Sequence, residues 1–397
     1  MSHDDWRDSA ATGDKRLKRG NMQGSLHQPI GLYMHIPFCV SKCAYCDFAS
    51  YAGREADIPR YVDAVIWEIT RRSAETGHPK ADTIFLGGGT PSLLNEFQVT
   101  RILDALFEAF PIEEGAEITC ECNPGTLTMP FAQALHKAGV NRLSMGAQAR
   151  QASLLRLIGR IHNWEKVIAS VEIASKAGFD NINLDLMFGL PSQTTSDVRE
   201  TLDAAIALSP KHISYYGLIV EEGTPICHDI TVGKLALPDE EIERDMYELV
   251  RQKLAEHGFH QYEISNFVRE GYACRHNIGC WTRVPYLGFG CAAHSFFEEC
   301  RTMNPSKLDA YLAGEEPKTE KISKEEARFE SMMLGLRMTP GVKNEDFTRI
   351  HRMSIREAFG EKLDKPINGG LLEWHEGALR LTRLGMDLQN SVLVDLM

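Results

Sequence analysis

The sequence predicts an α/β protein in three parts: a run of six β/α units, a mixed α+β region, and a small winged-helix-like unit at the C-terminus. Three observations lead there. From residue 31 to about residue 218, short apolar runs alternate with segments of helical periodicity. After Glu221 that alternation stops. The last part of the chain offers helical segments followed by a hairpin pattern. Consecutive β/α units with short links imply a parallel sheet with right-handed crossovers. An open sheet and a barrel both satisfy this pattern.

Taken in order, Gly31–Phe38 is a short apolar strand that runs into a cysteine-rich loop. Ile58–Thr76 carries Tyr61, Val62, Val65, Ile66 and Ile69 at helical spacing. Asp82–Leu86 is a strand ending in Gly87-Gly88-Gly89-Thr90. Phe97–Phe110 is helical. Glu117–Cys122 is a strand ending in Asn123-Pro124-Gly125, and Met129–Ala138 is a helix with Gly139 as its C-cap. Arg142–Gln148, Asn181–Phe188 and His212–Leu218 are the remaining strands, separated by helices over Trp164–Lys176 and Ser196–Leu208.

Beyond the alternation, Pro238–His257 is one long helix and Gln261–Val268 a strand. Cys274–Phe297 mixes Gly, Cys, His and aromatics and has no readable period. Pro317–Lys324 reads as a linker. Helices follow over Glu326–Leu336, Lys343–Arg349 and Ile355–Leu363, then a hairpin over Leu371–Trp374 and Ala378–Leu381, then a last helix over Leu384–Val394. This divides the chain into a polar tail (1–28), a core (29–235), an accessory region (236–318) and a C-terminal unit (319–397).

Composition narrows the class. The 397 residues are 43% hydrophobic and 25% charged, with a net charge of −12. An acidic surface argues against coating nucleic acid or binding anionic lipid. In the C-terminal unit acids and bases nearly balance, so it lacks the basic footprint of DNA binding and reads as a packing or docking unit. No apolar run approaches the roughly eighteen residues of a membrane span. Residues 1–28 have no apolar h-region and contain Asp4, Asp5, Asp8 and Asp14, so they read as a disordered tail and not a targeting signal. Ten cysteines without an export signal indicate a reducing, cytoplasmic compartment.

The chemistry is concentrated in Tyr33-Met34-His35-Ile36-Pro37-Phe38-Cys39 and the cysteines that follow. Cys39, Cys43 and Cys46 have the spacing C-x3-C-x2-C. Three thiolates can hold three irons of a [4Fe–4S] cluster, leaving the fourth iron open to a small chelating molecule. The alternative is a zinc site with His35 or a remote cysteine as fourth ligand. Zinc sites usually pair two C-x2-C or C-x2-H halves, and no second half occurs here.

This loop resembles that of the radical-SAM superfamily, and Tyr-x-His-Ile-Pro-Phe-Cys resembles its coproporphyrinogen-dehydrogenase-like branch. The likeness runs from about residue 31 to the C-terminus. It implies a partial (β/α)6 barrel with a [4Fe–4S] cluster on Cys39, Cys43 and Cys46, S-adenosylmethionine (SAM) at the open iron, and an electron donor for the cluster. Glu121, Gln148 and Asp185 interrupt apolar strands, and Arg160 lies between strands four and five. By the resemblance, Tyr33, Tyr45, Gly88, Gly89, Thr90, Glu121, Gln148, Arg160 and Asp185 contact SAM.

Within the branch, the dehydrogenases decarboxylate porphyrinogen propionates and carry a further cysteine two residues after the third ligand. Here that position is Phe48, as in the branch's heme chaperones. His276-Asn277-Ile278-Gly279-Cys280-Trp281 resembles the chaperones' His-Asn-x-x-Tyr-Trp motif, with Cys280 where Tyr is usual. The expected function is therefore heme binding and transfer to an acceptor protein, without coproporphyrinogen dehydrogenase activity. The alternatives are that dehydrogenase and another radical-SAM enzyme. His276 is the candidate axial ligand, at a site outside the cluster loop, with Cys280 as its rival and Trp281 and Phe289 as candidate walls.

Overall fold

A computed structural model describes residues 29–397. The expected tail over residues 1–28 lies outside them. Six parallel strands follow one another in chain order: β1 (Ile30–Ile36), β2 (Ala81–Gly88), β3 (Ile112–Cys122), β4 (Arg142–Gln148), β5 (Ile182–Phe188) and β6 (His212–Gly217). Each pairs with the next, and the order never reverses. A doubly wound sheet reverses its order at a switch point. Unbroken order places every crossover on one side, as in a (β/α) barrel. The first and last of these strands do not pair with each other, so the barrel is partial.

Helices α1 (Ile58–Glu75), α2 (Glu96–Ala109), α3 (Met129–Lys137), α4 (Ala152–Leu157), α5 (Trp164–Lys176) and α6 (Thr195–Ala207) fill the crossovers. Side chains alternate along each strand. Leu32, Met34 and Ile36 of β1, and Leu184 and Leu186 of β5, are buried in the main core with Tyr61, Val62, Val65 and Ile69 of α1. The intervening residues include Tyr33, His35, Asn183 and Asp185, and these face the lumen cavity. The sequence alternation is thus a division between an apolar jacket and a polar lumen.

The region beyond residue 221 continues the same sheet. Short helix α7 (Pro225–Thr231) and long helix α8 (Glu240–Glu256) precede strands β7 (His260–Gln261) and β8 (Asn266–Val268). The expected single strand over Gln261–Val268 is therefore two short antiparallel ones, and β8 pairs antiparallel with β6. The unreadable stretch resolves into helix α9 (Arg275–Trp281) and strands β9 (Tyr286–Phe289) and β10 (His294–Phe297). The parallel strand β9 lies against β1, giving the barrel a seventh parallel strand. Next come β11 (Cys300–Met303), α10 (Leu308–Leu312) and β12 (Lys318–Lys321). The expected linker is thus the sheet's edge strand, antiparallel to β11. All four residues of β12 are exposed, and a strand of charged side chains on an edge reads as loop in sequence.

The C-terminal part starts at α11 (Lys324–Gly335), whose Ser323/Glu326 capping box satisfies two end amides. Short helices and a three-stranded sheet follow, with the hairpin Leu372–His375/Ala378–Leu381. This part buries its own core around Met332, Phe347, Ile355 and Leu379. Among the described residues no helix is long and apolar enough to cross a membrane.

Candidate functional site

The cysteine loop leaves the C-terminal end of β1 and is held at several points. Ala44 N donates to Ile158 O at 2.9 Å, and Ile226 N donates to Ala44 O at 3.0 Å. Both ring nitrogens of His35 are used: Tyr33 OH bonds Nδ1 at 2.9 Å, and Nε2 bonds Ala49 O at 2.9 Å. A carbonyl only accepts, so Nε2 carries the proton and Nδ1 accepts from the tyrosine. His35 is therefore a brace for the loop, which removes it as the fourth ligand of a zinc site.

Cys39, Cys43 and Cys46 are free, half-buried thiols on this one loop. Thr90 Oγ1 lies 3.6 Å from the Cys39 sulfur, and Arg160 Nη1 lies 3.6 Å from the Cys43 sulfur. Donors aimed at sulfur favour the thiolate, the form that ligates iron. Burial pushes the Cys46 thiol up. Among the described residues no three His, Cys, Asp or Glu side chains stand at single-ion spacing. A [4Fe–4S] cluster places each thiolate on a different iron and asks for no such convergence. The donor set fits the cluster.

The glycine run at the end of β2 packs against this loop. Gly89 N donates to Ile36 O at 2.8 Å and Thr90 N to Phe38 O at 2.8 Å. A Cβ at Gly89 would stand 2.7 Å from both carbonyl oxygens. Gly88 has φ of 103° and presses on the His35 ring, where a Cβ has no room. Its amide donates to Glu121 Oε2 at 3.1 Å. The amides of Gly88, Gly89 and Thr90 are thus used internally, and the Thr90 carbonyl accepts from Leu93 N at 3.0 Å.

Glu121 and Asp185 face the lumen on β3 and β5. Burial, with Asp185 nearby, pushes the Glu121 carboxyl up to about 8. Burial also raises Asp185, against hydrogen bonds from Asn183 Nδ2 at 2.7 Å and Ser144 Oγ at 3.1 Å. Arg160 sits at the barrel mouth. It donates to Asn123 Oδ1 at 2.8 Å and to Gly146 O, and Asn123 Nδ2 donates to Thr90 Oγ1 at 2.7 Å. Gln148 ends β4 with φ of 64°. Tyr45 packs on the layer around Leu154 and Ile158, and burial raises its phenol. Burial raises the Tyr33 phenol too. Asn123, the bridge between Thr90 and Arg160, was missed in sequence; its signal is its place two residues after Glu121, at a strand end.

A cavity of about 500 Å³ fills the lumen. Tyr33, Glu121 and Asp185 line it, and so does His276. Gly88, Gly89, Thr90, Gln148, Arg160 and Tyr45 do not line it; they surround its mouth and the loop. His276 stacks on Phe85 with ring centroids 5.1 Å apart, and its Nδ1 lies 3.0 Å from Thr83 Oγ1. Burial pushes this imidazole down to about 4. Its helix α9 starts on Glu117, whose carboxylate accepts from Arg275 N at 2.8 Å and His276 N at 3.0 Å. Cys280 lines the same cavity, with its thiol pushed up to about 11 by burial.

Two of the expected walls are elsewhere. Phe289 is fully buried in the main core beside Phe110. Trp281 lies under the Arg337 guanidinium, 4.5 Å from its ring centroid. The aromatic residues that do line the cavity include Phe85, Phe48 and Tyr286.

Comparison with known proteins agrees with this architecture. The Radical SAM superfamily profile matches residues 33–205, and the HemN C-terminal domain profile matches residues 322–388. The chain is 39% identical to the heme chaperone HemW of Bacillus subtilis, over 91% of this chain and 97% of that protein. With the heme chaperone HemW of Escherichia coli the identity is 33%, over 92% and 97%. The solved structure of coproporphyrinogen III oxidase (HemN) from E. coli, a radical SAM enzyme, superposes with a TM-score of 0.81 at 23% identity, over 94% of this chain and 91% of that one. Membership of the superfamily implies a [4Fe–4S] cluster and SAM. The chain belongs to the radical-SAM superfamily, in its coproporphyrinogen-oxidase-like branch and within the HemW family.

Proposed function

We propose that this chain is a heme chaperone, which binds heme and passes it to an acceptor protein. The observation that carries this reading is His276: a buried imidazole, held neutral, on the wall of a cavity of about 500 Å³. Thr83 occupies Nδ1, which leaves Nε2 as the nitrogen that can meet iron. The names of the full-length relatives support the same reading. Phe48, in place of a fourth loop cysteine, separates the chain from coproporphyrinogen dehydrogenases.

In this proposal Cys39, Cys43 and Cys46 hold a [4Fe–4S] cluster. Tyr33, Tyr45, Gly88, Gly89, Thr90, Glu121, Gln148, Arg160 and Asp185 hold SAM. When bound, the cluster supplies an electron for reductive cleavage of SAM. Arg160 and Thr90 set the field at two of the sulfurs, and Glu121 presents a carboxyl that burial keeps protonated near neutral pH. Heme is the cargo, with His276 as axial ligand and Cys280 as rival. The partners are the heme acceptor and an electron donor, in a cytoplasmic setting.

The test is hemin titration of the anaerobically reconstituted protein. A new Soret band with about one heme per chain is expected, weakened in His276→Ala with the iron–sulfur absorbance unchanged. If Cys280→Ala instead loses the heme, the ligand is Cys280. Incubation with SAM, reductant and coproporphyrinogen should give no protoporphyrinogen; its appearance would replace the chaperone reading with the dehydrogenase.

A further inference from the structure

The lumen cavity has a charged floor. Arg142 opens β4, is 2% exposed, and lines the cavity. A guanidinium stays charged in a protein. Among the described residues Arg142 forms no ion pair, and its Nε has no hydrogen-bond partner. A buried cation with no acid in contact with it is left short of partners. Glu117 and Asp185 favour its charge from a distance, and neither forms an ion pair with it among the described residues. Glu117 spends its oxygens on Arg275 N, His276 N and the Cys274 sulfur. Asp82 is paired with Arg275. Glu121 and Asp185 face the same space and form no ion pair with Arg142 among the described residues; the Asp185 carboxylate accepts from Asn183 and Ser144 instead.

The depth of Arg142 also matters. It opens the strand that Gln148 ends, so the two Cα positions are about 20 Å apart at roughly 3.3 Å per residue. The register places Arg142 beside Thr119 and Glu117 beside Thr83, the residue that holds His276. Arg142 therefore shares the lower layer of the lumen with His276, well below the cysteine loop and Arg160. An iron porphyrin ligated by an imidazole carries its propionates on the same macrocycle, within reach of such a cation.

We propose that Arg142 anchors a carboxylate of the ligand that enters this cavity, and that this carboxylate is a porphyrin propionate. The inference rests on the heme-binding reading above. A guanidinium offers a carboxylate paired, charge-assisted hydrogen bonds, so the anchor would select carboxylate-bearing porphyrins over neutral ones.

The experiment compares hemin with hemin dimethyl ester, whose propionates are uncharged, on the full-length reconstituted protein. Wild type should bind hemin more tightly than the ester by about tenfold to a hundredfold, the range for one charge-assisted hydrogen bond. Arg142→Gln should lose that preference while keeping its affinity for the ester, and Arg142→Lys should recover part of it. SAM affinity should be the same in all three. Equal binding of hemin and ester by wild type overturns the anchor, leaves the heme reading standing, and needs no variant to fold. An unchanged preference in Arg142→Gln also overturns it. Loss of SAM binding with the preference retained assigns the carboxylate to SAM and overturns the porphyrin assignment. If wild type binds neither compound, the heme reading falls and the anchor with it.

Discussion

A cysteine that ligates iron is told from one that packs by what surrounds its sulfur. Cys39 and Cys43 are half-buried, and Thr90 and Arg160 point donors at them. Cys120, Cys274 and Cys291 are buried in the fold. Replacing Cys39, Cys43 or Cys46 by Ala should abolish the roughly four irons and four sulfides of a reconstituted cluster. Replacing Cys227 or Cys300 should leave iron analysis and the charge-transfer absorbance unchanged. Glu121 gives a second test. Its folded carboxyl titrates at about 8 against an ordinary 4.5, so the folded chain holds a proton that the unfolded chain releases in that window. Stability should therefore fall as pH rises from about 4.5 to about 8, with a Glu121 contribution of up to about 1.4 kcal/mol per pH unit. In urea unfolding without SAM, Glu121→Gln should flatten the slope between pH 6.5 and 8. An unchanged slope would assign the pH dependence to other groups. Glu121→Ala and Asp185→Ala should also weaken SAM binding without loss of iron, each by about 1–3 kcal/mol for a lost buried hydrogen bond. These residues were legible in sequence because each is polar in an otherwise apolar strand. Arg142, Ser144 and Asn183 follow the same alternation. Asn183 opens the motif that runs on through Asp185, but periodicity alone gives these three residues no role beyond their strands.

At the scale of elements, legibility followed length. The six core strands and their helices repeat their period long enough to read, and Arg142–Gln148 and Trp164–Lys176 have the same bounds in the fold. Strand β9 has four residues and helix α9 seven, too short for a period to show. Their apolar content reflects contacts made across the whole chain. Helix α9 also depends on a distant residue, since Glu117 satisfies its first amides from inside the barrel. No local capping signal stands at Cys274, which makes no side-chain cap. Glu117→Ala should lower unfolding stability by about 1–3 kcal/mol, because it leaves buried amides unpaired. It should also broaden or shift the heme spectrum, since His276 rides on those amides. Glu117→Gln keeps an acceptor and should lose less. Equal stability of wild type and Glu117→Ala would show that the helix holds itself.

At the scale of the molecule, the barrel is completed from outside its own six units. β1 carries the cysteine loop, and its second edge is covered by β9 in the register Gly31 to Tyr286. A chain cut after residue 235 should therefore expose that edge and aggregate, with poor iron retention on reconstitution. Recovery of a soluble truncated protein with a full cluster would show that the six units suffice. The same pairing fixes an order of events during synthesis. β1 is among the first described segments to leave the ribosome, yet its neighbour emerges only after most of the chain has been made. Contacts this distant in sequence form late, since the intervening loop must close first. Until Phe289 is in place, the strand that carries Cys39, Cys43 and Cys46 is held on one side only. A cluster on these cysteines should therefore be retained only once β9 has paired with β1, late in folding.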